Sequence, residues 1–132
     1  MGARGELQLL LVRLCAGLAF VPASVPKLFD GLAVRARIAQ QLSALGVTHA
    51  VELVVLAGVA ELALGGMLVL GCATRLAAVL AALYLAAVGY FFPSENVIVW
   101  LLVCLSFAVG GGGRWSVDRW LRSVDAPPST PP

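Results

Sequence analysis

The amino-acid sequence predicts an all-α integral membrane protein: a four-helix bundle with an amphipathic interfacial helix between its first and second spans. Three observations lead there. First, 61% of the 132 residues are hydrophobic and only 12% are charged, against about 25% charged in an average soluble domain, and the mean hydropathy is +0.97. A water-soluble chain this short buries only about two-thirds of what it could expose, so lipid is the expected solvent. Second, the charges fall at intervals that delimit membrane-length runs, with positions 76–94 and 96–113 carrying none. Third, the apolar runs do not alternate with polar residues, and no turn signals recur every ten residues, which excludes membrane strands.

The spans follow in order at about 7–28, 51–71, 76–93 and 96–112, each near the roughly 20 residues that cross a bilayer core as a helix. The first two tolerate one internal charge each, Arg13 and Glu61. The N-terminal run is read as a retained helix rather than a secretory signal, because Arg13 interrupts what would be the signal's apolar core. Residues 30–46 predict the interfacial helix. Val34, Ile38, Leu42 and Leu45 recur at helical spacing, Arg35, Arg37, Gln40 and Gln41 take other faces, Asp30 is the expected N-cap and Gly46 the terminator. The turn around Cys72–Arg75 is short enough to make the second and third spans antiparallel neighbours. Residues 116–124 predict a surface helix striped by Val117, Trp120, Leu121 and Val124, with Trp115 and Trp120 at the aqueous boundary. The proline-rich 125–132 is expected to be a disordered tail. One domain covers 1–124.

Orientation follows from the basic residues flanking the spans. Arg4, Arg75, Arg114, Arg119 and Arg122 share one side against Lys27, Arg35 and Arg37 on the other, which predicts a multi-pass protein of the cell membrane with both termini in the cytoplasm. A net charge of +2 is too small to steer a polyanion, so no nucleic-acid partner is expected. Cys15, Cys72 and Cys104 are too widely spaced for a disulfide framework and read as small packing residues. With His49 the lone histidine, no metal site is expected.

The chemistry-bearing residues lie inside the spans. Arg13, Gly17, Phe20, Ser24 and Lys27 share one helical face, and Glu61, Gly65, Leu68, Cys72 and Arg75 repeat that spacing. An ionisable side chain at mid-bilayer costs about 2.5–3.5 kcal/mol and normally has a partner inside the protein. The expectation is a buried Arg13–Glu61 ion pair, with Gly17 and Gly65 allowing close helix approach, and a wetter Lys27–Glu52 pair toward the opposite end. Such charges either fix helix register or form a proton or polar-substrate site. Ala78, Ala82, Ala86 and Gly89 predict a small-residue contact stripe. Tyr84, Tyr90, Phe91, Phe92 and Trp100 gather toward the non-cytoplasmic half as belt or core aromatics, or as walls of a flat apolar pocket for a quinone-like ring.

These landmarks resemble the DoxX family of small four-helix membrane proteins. The likeness rests on Leu11–Leu14 around Arg13, Pro26-Lys27-Leu28, Glu61 through Gly65-Gly66 to Gly71 and Thr74-Arg75, and Gly111 through Arg114-Trp115-Ser116-Val117-Asp118. Ser24 stands where a glycine often precedes the Pro-Lys step, Gly112 replaces the proline of the usual Gly-Pro-Gly, and Tyr90 stands where many relatives carry a polar residue. The resemblance implies a link to redox metabolism, since some DoxX-like proteins are described as the small membrane subunit of a thiosulfate–quinone oxidoreductase. Others are described as membrane partners of proteins that handle oxidative stress. The expected function is a membrane subunit or anchor of a quinone- or thiol-linked oxidoreductase, with a quinone as the one cofactor in view. Its expected partners are the lipid bilayer and a protein partner or a second copy. The alternatives are an assembly protein that recruits a partner without chemistry of its own, and an oligomeric small-solute carrier. Arg13, Lys27 and Glu61 form the expected intramembrane polar site, and Arg114 and Asp118 organise the cytoplasmic exit. Gly17, Gly65, Gly66, Gly71 and Arg75 are the expected packing and motif residues. No catalytic residue is assigned.

Overall fold

A computed structural model describes residues 3–29, 31–113 and 115–124. Six helices follow one another: α1 Ala3–Leu28, α2 Leu32–Ala44, α3 Ala50–Leu70, α4 Thr74–Phe91, α5 Glu95–Gly110 and α6 Val117–Val124. No strand occurs among the described residues. Asp30, Arg114 and the proline-rich tail, each singled out in the sequence, lie outside them. Three described helices are long and apolar enough to cross a membrane: Arg4–Leu28, Ala50–Leu70 and Thr74–Phe91. The stretch expected as a fourth span is α5, whose 16 residues reach about 24 Å at ~1.5 Å per residue. That is short of a bilayer core of ~30 Å.

The distribution of side-chain size is that of a protein dissolved in lipid. Large apolar residues such as Leu18, Leu56, Leu83 and Leu102 stand outward, while Ala16, Ala77, Ala78 and Ala81 are fully buried. In hydrocarbon, Leu gains nothing by leaving the surface, so small residues that let backbones approach collect inside. Phe20, Leu64, Leu68, Cys104 and Phe107 fill the remaining core. Cys15, by contrast, is exposed.

Two helix pairs dominate the packing. The most extensive packing joins α1 to α3 and α4 to α5, and lesser contacts hold α3 against α4 and α1 against α5. Glycine explains the first pair. A Cβ on Gly17 would stand 2.7 Å from the Gly65 carbonyl oxygen, and a Cβ on Gly65 would stand 2.7 Å from that of Gly17. The two backbones touch, and this contact sets the antiparallel register of α1 on α3. Gly66, one residue on and so about 100° around the helix, meets nothing within 4 Å. The expectation that it packs is corrected: it faces outward. Along α4 the inward stripe is Thr74, Ala77, Ala78, Ala81, Ala82 and Leu85. Ala86, predicted to continue it, is exposed because a strict i+4 repeat drifts off the buried face.

The connections close on local rules. Gly71 ends α3 with φ +70, donating its N–H to the Met67 carbonyl at 2.9 Å, and Cys72 donates to the same carbonyl at 3.0 Å, a left-handed cap of the kind glycine favours. Between α1 and α2, the Arg35 guanidinium donates from Nε to the Lys27 carbonyl at 2.5 Å and from Nη2 to that of Leu28. It thereby satisfies orphan carbonyls at the negative end of the α1 dipole. Ala39 of α2 is buried with Ala50 and Val54 of α3, and Ile38 and Leu42 pack beside them, so the middle of the apolar stripe read in 30–46 faces the start of α3, while Leu45 stands exposed.

Candidate functional site

Packing carries three ionisable side chains into one cluster where α1, α3 and α4 meet. The Lys27 ammonium donates to Glu61 Oε1 at 2.5 Å, and the Tyr84 hydroxyl donates to the same oxygen at 2.5 Å. The Lys27 and Glu61 side chains are 16% and 5% exposed, so this is an interior ion pair. Glu61 Oε2 is buried and has no hydrogen-bond partner among the described residues.

Arg13 does not join them, and the expected Arg13–Glu61 pair is corrected. With Gly17 against Gly65, Arg13 falls one turn beyond the contact, level with Val69, and its Nη2 reaches the Val69 carbonyl at 3.5 Å. Val69 is eight residues from Glu61, or about 12 Å along α3. Side chains on a helix also lean toward its N-terminus. In this antiparallel pair Lys27 and Glu61 lean toward each other, while Arg13 and Glu61 lean apart. The expected Lys27–Glu52 pair is absent as well: Glu52 is exposed, with His49 Nδ1 3.9 Å from its carboxylate.

Arg13 instead anchors the opposite end of the bundle. It is 2% exposed, and it donates from Nη1 to the Gly112 carbonyl at 2.6 Å and from Nη2 to the Trp115 carbonyl at 2.7 Å. A Cβ on Gly71 would lie 2.6 Å from Arg13 Nη1, so the guanidinium needs this glycine for room. Asp118 completes the anchor. Its carboxylate accepts from the Ala73 N–H at 2.5 Å and the Thr74 N–H at 2.7 Å, and its own N–H donates to the Gly71 carbonyl at 3.2 Å. A carboxylate from α6 thus occupies the positive N-terminus of α4 and holds Ala73 at φ +45. Asp118 thus ties α6 to the start of α4, whereas Arg75 is exposed and borders Gly111.

Two cavities flank the Lys27 cluster. The larger, about 430 Å³, is apolar and is walled by Ile38, Leu42, Phe91 and Phe92, with Lys27 and Tyr84 at its edge. The smaller, about 240 Å³, lies between Phe20, Trp100 and Asn96 and is lined by Lys27, Glu61 and Tyr84. A third hollow of about 600 Å³ lies at the Arg13 end, among Glu6, Arg75, Gly110–Gly113, Asp118 and Arg119. No cluster of metal-ligating side chains occurs among the described residues.

The sequence points to Lys27 and Glu61 as polar-site residues but to Tyr84 only as a belt or core aromatic or a pocket wall. The overlooked signal was a polar tip within the third span on a helix that must pack beside Glu61.

Membrane-length helices with large residues outside, alanines inside and a buried ion pair define a multi-pass α-helical integral membrane protein. Comparison with known families narrows the class. The family model DoxX matches residues 8–94, and the chain belongs to the DoxX family. The matched region runs from α1 through α4 and contains Arg13, Lys27, Glu61 and Tyr84, while the Gly111–Asp118 stretch lies beyond it. No significant match emerged among curated proteins. None emerged among solved structures either.

Proposed function

We propose that this chain binds a quinone-like ring beside the Lys27–Glu61–Tyr84 cluster, as a membrane subunit or anchor of a quinone- or thiol-linked oxidoreductase system in the cell membrane. One observation carries the reading. Two apolar, aromatic-walled cavities meet at a buried ammonium–carboxylate–phenol cluster, and a volume of about 430 Å³ falls in the ~300–1,000 Å³ range of small-molecule sites. An apolar wall with a few convergent polar groups is what a ring with polar edges requires. Among the described residues the Lys27 ammonium donates to Glu61, and with three N–H groups it would also hold a ring oxygen, while Phe91 and Phe92 would exclude water from its faces. When bound, the quinone would supply the redox chemistry.

In this reading α5 is the fourth span, with the bilayer thinning locally to meet a short helix. Helix α2 lies in the headgroup layer, and both termini face the cytoplasm, where the basic flanks are more numerous. The exposed Trp115, Trp120 and Leu121 would meet a soluble partner or a second copy there.

Purification in mild detergent, followed by solvent extraction and mass spectrometry, tests the proposal. A co-purifying quinone that is lost in Lys27→Met supports it. Absence of any quinone, together with undiminished partner binding in Glu61→Gln, would overturn it in favour of an assembly protein without chemistry.

A further inference from the structure

The hollow of about 600 Å³ at the Arg13 end carries two cations that the fold itself does not use. Arg75, from the first turn of α4, and Arg119, from α6, both line it, and the Gly110–Gly113 chain forms part of its wall. Both arginines are exposed, and among the described residues neither guanidinium has a hydrogen-bond or ion-pair partner. Each presents five N–H donors in a planar fork that matches the oxygens of a phosphate. Two like charges brought to one hollow repel, and an anion seated between them removes that cost. Depth narrows the choice of anion. Thr74 opens a membrane-length helix, and Arg75, one residue on, lies within about 2 Å of its start along the axis, at the level of lipid headgroups. Leu76 lines the same hollow. With Leu80 and Leu83, at i+4 and i+7 on the same face, it makes an exposed apolar row that leads from the hollow along α4.

We propose that this hollow binds the phosphodiester headgroup of a membrane lipid. Arg75 and Arg119 hold the phosphate, and an acyl chain lies along Leu76, Leu80 and Leu83. The site is separate from the Lys27 cluster and stands whether or not a quinone binds there. Glu6 and Asp118 also border the hollow. The Asp118 carboxylate is turned to the Ala73 and Thr74 amides, and that of Glu6 lies beside Gly113. Two carboxylates weigh against a doubly charged phosphomonoester, admit a singly charged diester, and can accept from the hydroxyls of a glycerol headgroup. A soluble phosphodiester offers the same charge but nothing to lay against the leucine row, which favours the lipid.

The test uses native mass spectrometry of the full chain in dodecylmaltoside, titrated with dioleoylphosphatidylglycerol. One lipid is expected to stay bound, with affinity about fivefold weaker in Arg75→Gln and in Arg119→Gln, the usual worth of one basic side chain at a lipid surface. Arg37→Gln removes the same charge from α2 at the opposite end of the bundle and is expected to bind as the wild type does. Dioleoylglycerol, which lacks the phosphate, and glycerophosphoglycerol, which lacks the chains, are each expected to bind at least tenfold more weakly. Equal losses in all three variants, or dioleoylglycerol binding as tightly as the phospholipid, would overturn the site. Glycerophosphoglycerol binding as tightly as the lipid would overturn the lipid assignment. Should one arginine variant not fold, as judged by circular dichroism and elution volume, the other variant and the wild-type ligand series decide.

Discussion

The register of α1 on α3 determines which charges can meet, so the Gly17–Gly65 contact is the place to perturb it. In Gly65→Ala the new Cβ would stand 2.7 Å from the Gly17 carbonyl oxygen and 3.0 Å from Phe20 Cβ, where ordinary contact begins at 3.4 Å. Backbone atoms cannot swing aside like a flexible side chain. The helices must therefore part locally by most of the 0.7 Å difference between 2.7 and 3.4 Å, loosening the contacts on either side. Overpacking of this kind costs about 1–3 kcal/mol. Gly66→Ala is the internal control, because its Cβ would meet open space, and replacing a helical glycine is neutral or stabilising by up to ~1 kcal/mol. The assay is reversible unfolding in mixed dodecylmaltoside–SDS micelles followed by circular dichroism. The expected result is a lower midpoint for Gly65→Ala and an unchanged or higher one for Gly66→Ala. Equal destabilisation by both would refute the backbone-contact argument, since propensity and insertion effects act alike on neighbouring positions.

The ion-pair assignment is checked by double-mutant cycles in the same micelles. Lys27→Met and Glu61→Leu should couple by about 1–3 kcal/mol, whereas Arg13→Leu and Glu61→Leu should add within ~0.5 kcal/mol. Tyr84→Phe removes one donor from Glu61 Oε1 and should cost about 0.6–1.7 kcal/mol, the range for polar contacts between membrane helices; no change in unfolding midpoint would show that contact to be dispensable. Asp118→Ala strips the carboxylate from the Ala73 and Thr74 amides and should cost about 1–2 kcal/mol, with faster hydrogen exchange at Thr74 than at Ala82. For orientation, single cysteines replacing Arg37 and Arg119 should react with an impermeant maleimide from opposite sides of sealed vesicles, and same-side labelling would contradict a four-span arrangement.

The membrane fold was legible because charge positions delimit it. Uncharged runs at 76–94 and 96–113 became α4 and α5, and the stripe in 30–46 became α2. Boundaries were less legible. The first helix starts at Ala3 rather than at residue 7, since a helix can continue beyond the apolar run that marks a span. The candidate site was half legible. Helical spacing identified the face bearing Arg13 and Lys27 and the face bearing Glu61, but two faces can engage in many registers. Choosing between Arg13 and Lys27 needed the glycine contact as origin and the lean of side chains toward the N-terminus as direction; depth alone pointed to the wrong cation.

The partners of Arg13 lay beyond pattern reading for a different reason. They are backbone carbonyls 56, 99 and 102 residues away, and a carbonyl has no sequence signature. Physically, however, a guanidinium suits that end of the bundle better than a carboxylate partner would. Val69 in the last turn of α3, Gly112 and Trp115 turn their carbonyls to this end of the protein, beyond the reach of regular helical pairing, and in an apolar surround each needs a donor. One side chain with five N–H groups in a rigid fork can reach several at once, and Asp118, on the neighbouring α6, supplies the negative charge that favours it. The two embedded cations therefore divide the work: Lys27 neutralises Glu61 where the cavities open, and Arg13 gathers loop carbonyls where the two helix pairs are joined. A chain that exchanged them would lack the forked donor at the loops and place a longer, flatter cation in the cavity.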